Sequence, residues 1–139
     1  MKRFMRICFA VSFVLFIFSC SLNDDGPNFH FKALQITEAE VPESFELNQT
    51  YQITVTYILP DGCTSFSGFE VADTDTTIRN VVVFGTVRTD QEGCTTAITE
   101  TQATFNFKCL YDQPYTFRFW QGEGADGAQE YFEVVVPVN

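Results

Sequence analysis

A strict alternation of apolar and polar residues from Tyr51 to Tyr57 is the feature that most limits how this chain can fold. Tyrosine, isoleucine or valine fills every second position, and glutamine or threonine fills the positions between. A side-chain period of two is that of a β-strand with one buried face. Sixteen residues are phenylalanine and five are tyrosine, which favours strands throughout. We find no convincing amphipathic helix beyond the N-terminal segment, so we expect an all-β domain.

Turn signals divide the chain after residue 27 into seven short segments that read as strands. We predict strands at residues 28–37, 51–57, 63–71, 78–88, 97–109, 115–120 and 130–138. Pro42 lies in a connection from Glu38 to Glu46 that should separate the first two strands. About seven short strands with such spacing indicate an immunoglobulin-like antiparallel β-sandwich. Alternation predicts these inward-facing residues: Phe105, Phe107, Cys109, Tyr115, Phe117, Phe119, Phe132, Val134 and Val136.

The first residues have the pattern of a secretory signal. Three basic residues precede an apolar run from Ile7 to Phe18. A helix of about 12 residues rises roughly 18 Å, too short for a hydrocarbon core of roughly 30 Å. Phe18-Ser19-Cys20 resembles a lipobox, whose cysteine is lipidated and begins the mature protein. We therefore predict a lipoprotein signal peptide at residues 1–19 and lipidation of Cys20; a plain signal cleaved at an ordinary site is the alternative.

Residues 20–27 are predicted to be an acidic tether between the lipidated cysteine and a sandwich at residues 28–139. Asn23, Asp24 and Asp25 follow Cys20 closely, which resembles the export signal of Bacteroidota surface lipoproteins. That resemblance implies a lipid anchor in the outer membrane with the domain at the cell surface. The alternatives are an ordinary solvated linker and a location on the periplasmic face of the outer membrane.

Charge and cysteine content limit the partners. The formal net charge is −10, and removal of residues 1–19 takes away three basic and no acidic residues, which makes it −13. Such a polyanion repels nucleic acid and anionic membrane surfaces, so neither is an expected partner beyond the lipid anchor. No motif for a cofactor occurs. With His30 as the sole histidine and no paired-cysteine motif, we expect no zinc site.

Three cysteines remain after the tether, and strand direction predicts which two pair. If successive strands are antiparallel, Cys63 and Cys94 lie at the same end of the sandwich. Cys109 lies one strand further on, roughly 35 Å away at about 3.3 Å per residue. A disulfide needs Cα atoms within about 7 Å. We therefore predict a Cys63–Cys94 disulfide and a free, inward-facing Cys109 thiol.

Several segments resemble a group of small, uncharacterised flavobacterial lipoproteins. They are Pro60-Asp61-Gly62-Cys63, Gly93-Cys94-Thr95, Thr116–Gly122 and Asp126-Gly127, followed by an apolar C-terminal strand. The resemblance implies an immunoglobulin-like sandwich and the Cys63–Cys94 pair. It implies no activity, because these segments mark strands and turns.

We expect no catalytic residue and no enzyme. His30 has no motif around it, and catalysis needs a positioned base, nucleophile or metal. The close carboxylate pairs all lie in polar segments, where solvated charge is the ordinary interpretation. Asp73 and Asp75 could at most hold calcium weakly.

Trp120 is the best candidate for ligand binding. It is the sole tryptophan, and alternation turns it away from the inward phenylalanines. With Tyr131 on the neighbouring strand it could form an aromatic platform for a sugar ring or a protein; packing under a loop is the alternative. Asp75-Thr76-Thr77 resembles a Bacteroidota O-glycosylation sequence, with Thr76 as the acceptor.

Two functional classes remain open. The first is a non-enzymatic surface lipoprotein whose domain binds a glycan or a protein, or spaces another component. The second is a secreted effector that resembles an enzyme inhibitor and presents a loop. Strand direction also predicts that the tether enters at the end of the sandwich that holds the disulfide, so the loops at 72–77 and 111–114 should face away from the membrane.

Overall fold

The computed structural model describes residues 28–139, which form two β-sheets packed face to face. The predicted signal peptide 1–19, the lipidation at Cys20 and the tether 20–27 lie outside the described residues. The described chain has eight strands: β1 (Phe29–Leu34), β2 (Ile36–Glu40), β3 (Thr50–Leu59), β4 (Thr64–Asp73), β5 (Ile78–Arg88), β6 (Thr99–Lys108), β7 (Tyr115–Glu123) and β8 (Gln129–Val136). Residues 28–139 contain no helix long and apolar enough to cross a membrane.

The predicted all-β sandwich is confirmed. The small sheet has the order β2-β3-β6 and is antiparallel. In the large sheet β4 lies along one edge of β5, while the other edge is divided between β7, at Ile78–Val81, and β1, at Val83–Arg88. β8 completes this sheet beside β7. β5 and β7 run parallel, and β5 separates β4 from β7. β4 and β7 are the third and sixth of the seven predicted strands, and immunoglobulin constant domains place their third and sixth strands side by side.

The first predicted strand, 28–37, is in fact two strands in different sheets. β1 ends at Leu34 and β2 begins at Ile36, and both of these side chains are buried. Gln35 lies between them, and its carbonyl accepts a hydrogen bond from Ile58 N–H. The prediction that a connection starts at Glu38 is also wrong, because β2 continues to Glu40 and pairs with β3. The chain crosses between sheets while keeping an apolar residue inward on each side.

The core agrees with the alternation in the later strands. The largest fully buried side chains are Tyr115, Phe45, Phe117, Phe119, Leu34, Ile36, Ile53, Val55, Val81, Val83, Val136 and Cys109. Phe105, Phe132 and Val134 pack against this core while partly buried. Tyr115 also uses its hydroxyl, which accepts hydrogen bonds from the N–H groups of Leu110 and Tyr111. A tyrosine that begins a strand and bonds back to the backbone a few residues earlier is a hallmark of immunoglobulin-like sandwiches, and here it begins β7, the sixth of the seven predicted strands.

The predicted Cys63–Cys94 disulfide is confirmed, with a Cα–Cα distance of 5.4 Å. It joins the β3–β4 connection to the β5–β6 connection, where Gly62 N–H also donates to Thr95 O. Cys109 is buried and free of any disulfide partner in the described part of the chain. Thr89 N–H donates to Asn28 O, so the described chain begins at the end of the sandwich that holds the disulfide.

Candidate functional site

Trp120 and Tyr131 are direct cross-strand partners on β7 and β8. Opposed residues of an antiparallel pair share a face of the sheet. Phe117 and Phe119 point into the core, so Trp120 and Tyr131 lie on the outer face of the large sheet. Both side chains are half-buried. The structure thus brings together the two aromatic residues that the sequence singled out.

A divergence between β1 and β7 creates space beside Trp120. β7 pairs with β5 only as far as Phe119, because β1 occupies the same edge of β5 from Val83 onward. The register of β7 against β8 then shifts between Trp120 and Gly122, and Gly122 has a φ of 125°, which favours glycine. Trp120 therefore stands where β7 separates from β5 while it remains paired with β8.

Two open hollows flank Trp120. The first, which we call the tryptophan hollow, has a volume of about 520 Å³ and is lined by Lys32, Ala33, Val82, Trp120, Glu123, Gln129 and Tyr131. The second has a volume of about 450 Å³ and continues past Trp120 towards Ile58 and Pro60 at the end of β3. Lys32, Ala33, Trp120 and Glu123 border both hollows. A ligand can therefore approach Trp120 from the outer face of the large sheet or from the end of the sandwich where β3 ends.

A chain of hydrogen bonds holds the indole in place. Trp120 Nε1–H donates to Gln129 Oε1 at 2.6 Å, and Gln129 Nε2 donates to Glu123 Oε1 at 3.0 Å. Gln129 and Glu123 are opposite each other where β7 and β8 meet their connecting turn. The hollow thus combines an oriented aromatic ring, a carboxylate and an amide, and Lys32 is also among the residues that line it.

Tyr131 forms a wall of the hollow rather than a second open platform. The guanidinium carbon of Arg118 lies 4.8 Å from the centre of the Tyr131 ring, and Arg118 Nε donates to Glu133 Oε1 at 3.0 Å. A cation over an aromatic face is a favourable contact. Within residues 28–139 no aromatic or cationic side chain stacks in this way on Trp120. Trp120 is therefore the ring best placed to meet a ligand.

The loop at 74–77 is ordered around a buried arginine. The Arg79 guanidinium donates to the carbonyls of Asp75, Thr76 and Ile78 and pairs with Asp73 at 2.8 Å. Thr76, the predicted glycosylation acceptor, is exposed on this loop. Calcium bound by Asp73 and Asp75 would have to compete with the Arg79 guanidinium. The described residues contain no group of three or more acidic, histidine or cysteine side chains that could hold a metal ion.

The remaining predicted residues lie apart from the hollows. His30 is exposed on β1. Cys109 lies at the opposite end of the sandwich, where its Sγ donates to Tyr111 O at 3.3 Å. Burial raises the pKa of the Cys109 thiol, and the bond to Tyr111 opposes that shift. A buried thiol with a raised pKa is a poor nucleophile.

The sequence did not identify Lys32, Glu123 or Gln129 as members of this site. The register that places Trp120 opposite Tyr131 would, if continued, pair Glu123 with Ala128. The shift between Trp120 and Gly122 brings Gln129 opposite Glu123 instead, so the sequence order of the hairpin alone does not give this pairing. Lys32 enters the site because β1 inserts beside β7 along the edge of β5. No local pattern signals that long-range arrangement.

Comparison with protein families matches residues 53–134 to the ORF11 beta-sandwich domain. The match covers more than half of the chain and extends from within β3 to within β8. It includes Trp120 and Tyr131. Neither the comparison with curated proteins nor that with solved structures gives a match.

Proposed function

The chain belongs to the ORF11 beta-sandwich domain family, and we propose that it is a non-enzymatic, lipid-anchored surface module that binds a glycan at Trp120. The observation that carries the proposal is the tryptophan hollow. There an indole ring, fixed by Gln129, stands beside the Glu123 carboxylate and the Gln129 amide. Sugars present both apolar C–H faces and hydroxyl groups, so a ligand of this class uses both kinds of surface.

The pre-ordered indole supports a binding role. A side chain already held in its bound orientation loses less entropy when a ligand arrives. Lys32 and Glu123 have opposite charges and line the same hollow, which suits a neutral, hydroxyl-rich ligand better than a strongly charged one. The hollow is open, and binding sites with few polar groups on an apolar wall are typical of small-molecule recognition.

The anchoring part of the proposal rests on the N-terminal sequence. Seven residues, Ser21–Pro27, separate Cys20 from Asn28 and can span roughly 25 Å when extended. The described chain begins at the end of the sandwich that holds the disulfide. An outer-membrane anchor would therefore keep this end near the lipid and turn the loops at 74–77 and 109–114 towards the surroundings.

Replacing Cys20 by alanine tests the anchor. We expect wild-type protein in the membrane fraction with an acylated N-terminal peptide by mass spectrometry, and a soluble, unacylated Cys20→Ala protein. Protease digestion of intact cells then tests surface display. Wild-type protein that carries no acyl group, or that is protected from the protease, would contradict the anchored or the surface-displayed form respectively.

Affinity gel electrophoresis with a panel of neutral polysaccharides tests glycan binding. We expect at least one polysaccharide to retard residues 21–139, and Trp120→Ala to migrate freely. Val135→Ala is the matched control, because Val135 is 62% exposed and lies on β8 outside the tryptophan hollow. Absence of retardation by every polysaccharide, or equal retardation of Trp120→Ala, would contradict the proposal.

A second candidate, an inhibitor of another protein's active site, is favoured by the β5–β6 connection. Residues 89–98 are all exposed, and the Cys63–Cys94 disulfide and the Gly62–Thr95 hydrogen bond brace them. A braced, protruding loop enters a cleft at low entropic cost. Inhibition of a purified endopeptidase that is lost after reduction of the disulfide would favour this function over glycan binding.

A further inference from the structure

We propose that the ligand is a linear oligosaccharide that spans the tryptophan hollow and a separate hollow beside it, which is lined by Phe31, Phe69 and Phe84 and which we call the phenylalanine hollow. This inference rests on the proposed glycan-binding function and specifies the ligand: a chain of several sugar residues, bound along the sheet, rather than a single sugar. It assigns a role to the exposed aromatic residues of β1, which the tryptophan hollow does not explain.

The phenylalanine hollow has a volume of about 340 Å³ and is lined by Phe31, Ser67, Gly68, Phe69 and Phe84. Phe31 is 63% exposed, and Phe29 meets it edge-on with 5.6 Å between ring centres. Ser67 and Thr86 hydroxyls are 2.9 Å apart at this part of the sheet. The hollow thus offers exposed ring surface with hydroxyl groups at its border and no charged side chain in its lining.

The two hollows are neighbours on the outer face of the large sheet. On β1, Ala33 lines the tryptophan hollow and Phe31 lines the phenylalanine hollow. On β5, Val82 lines the tryptophan hollow and Phe84 lines the phenylalanine hollow. Residues two apart in a strand share a face and are separated by about 7 Å. Ala33 and Phe84 are also cross-strand partners. An apolar surface therefore continues from Trp120 over Ala33 and Val82 to Phe84 and Phe31.

This continuity favours a linear oligosaccharide over a single sugar as the ligand. A single sugar at Trp120 would leave Phe31 and Phe84 uncovered, whereas a linear saccharide presents one apolar ring face after another along its length. The uncharged lining of the phenylalanine hollow suits further neutral sugar residues. Trp120 with its polar neighbours would orient one residue, and Phe31 would stack on a later residue of the same chain.

Calorimetric titration with a length series tests the inference. Residues 21–139, which contain the whole described sandwich, are titrated with β-1,4-linked gluco-, manno- and N-acetylglucosamine oligosaccharides from monosaccharide to hexasaccharide. We expect one series to bind about tenfold more tightly at hexasaccharide than at disaccharide length, as one additional stacking contact allows. Phe31→Ser should abolish that gain while leaving disaccharide affinity unchanged. Val135→Ser, at an equally exposed position outside both hollows, should retain the gain.

Each outcome distinguishes this inference from the function on which it rests. Binding that depends on Trp120 but not on ligand length, or a gain with length that survives Phe31→Ser, would overturn the two-hollow inference and leave glycan binding intact. No binding by any oligosaccharide at any length would overturn both.

Discussion

The indole Nε1–H of Trp120 donates a 2.6 Å hydrogen bond to Oε1 of Gln129. The bond crosses the β7–β8 hairpin, and Gln129 is itself held by Glu123. The orientation of the ring at the candidate site therefore depends on a residue that precedes Tyr131 by two positions and would not contact the ligand by stacking.

Gln129→Ala should weaken glycan binding by acting on the position of Trp120. One lost hydrogen bond corresponds to about a tenfold lower affinity. Because the indole is then free to move, the fluorescence anisotropy of Trp120 should fall in the unliganded variant, an effect that a general loss of stability would not produce. Gln102→Ala, on β6 of the small sheet, is the matched control. Unchanged affinity and anisotropy in Gln129→Ala would show that the bond does not position the ring.

The Cys63–Cys94 disulfide should contribute substantially to stability, since its cysteines are 31 positions apart. Closing a loop of this length is expected to stabilise the fold by about 3–4 kcal/mol in the chain-entropy model. Urea unfolding of Cys63→Ser/Cys94→Ser should show this loss. Wild-type protein measured in reductant should match the double variant. Cys109→Ala serves as a control, because it should keep its sensitivity to reductant. A double variant as stable as the oxidised wild type would contradict the prediction.

Arg79 should matter more for stability than its ion-pair partner Asp73. The guanidinium is buried and donates to three carbonyls. Arg79→Met should therefore lower the free energy of unfolding, measured in urea, by about 2–3 kcal/mol. The Asp73 side chain is 73% exposed, so Asp73→Asn should cost at most about 1 kcal/mol. Equal costs for the two variants would mean that the ion pair, rather than the carbonyl contacts, holds the loop at 74–77.

The Asp61 carboxylate should make the fold sensitive to acid. Thr64 Oγ1–H and Cys63 N–H donate to its Oδ1 at 2.8 and 2.9 Å, and these bonds, that from Thr64 foremost, lower the pKa of the Asp61 carboxyl. A lowered folded-state pKa contributes stability above the ordinary carboxyl range, and that contribution is lost as the pH falls through the folded-state pKa. The loss of stability between neutral pH and about pH 3 should be smaller in Asp61→Asn than in wild type. Identical pH dependence would exclude this role.

The strands and their buried faces were predictable because alternation is a local property. Ile53, Val55, Phe117 and Phe119 face the core as their spacing indicates. The disulfide was predictable because it depends only on the direction of successive strands. The division of the first strand at Gln35 was not, since only the choice between two sheets explains it.

One part of the candidate site was predictable from the sequence and another part was not. Trp120 and Tyr131 lie on adjacent strands of one hairpin, so their proximity follows from sequence order. Phe31, Phe84 and Lys32 meet the site because β1 takes over an edge of β5 that β7 leaves. This change of pairing partner along β5 brings together residues such as Phe31 and Phe84, which are more than fifty positions apart in the chain. Side-chain periodicity carries no information about it.

Fluorescence titration of residues 21–139 tests the central claim most directly, because Trp120 is the sole tryptophan and its signal reports on one place. Glycan binding at Trp120 predicts that at least one neutral polysaccharide produces a saturable change in emission. It also predicts that the bound glycan protects Trp120 from acrylamide quenching. Emission and quenching that stay constant across the whole panel would contradict a glycan site at Trp120.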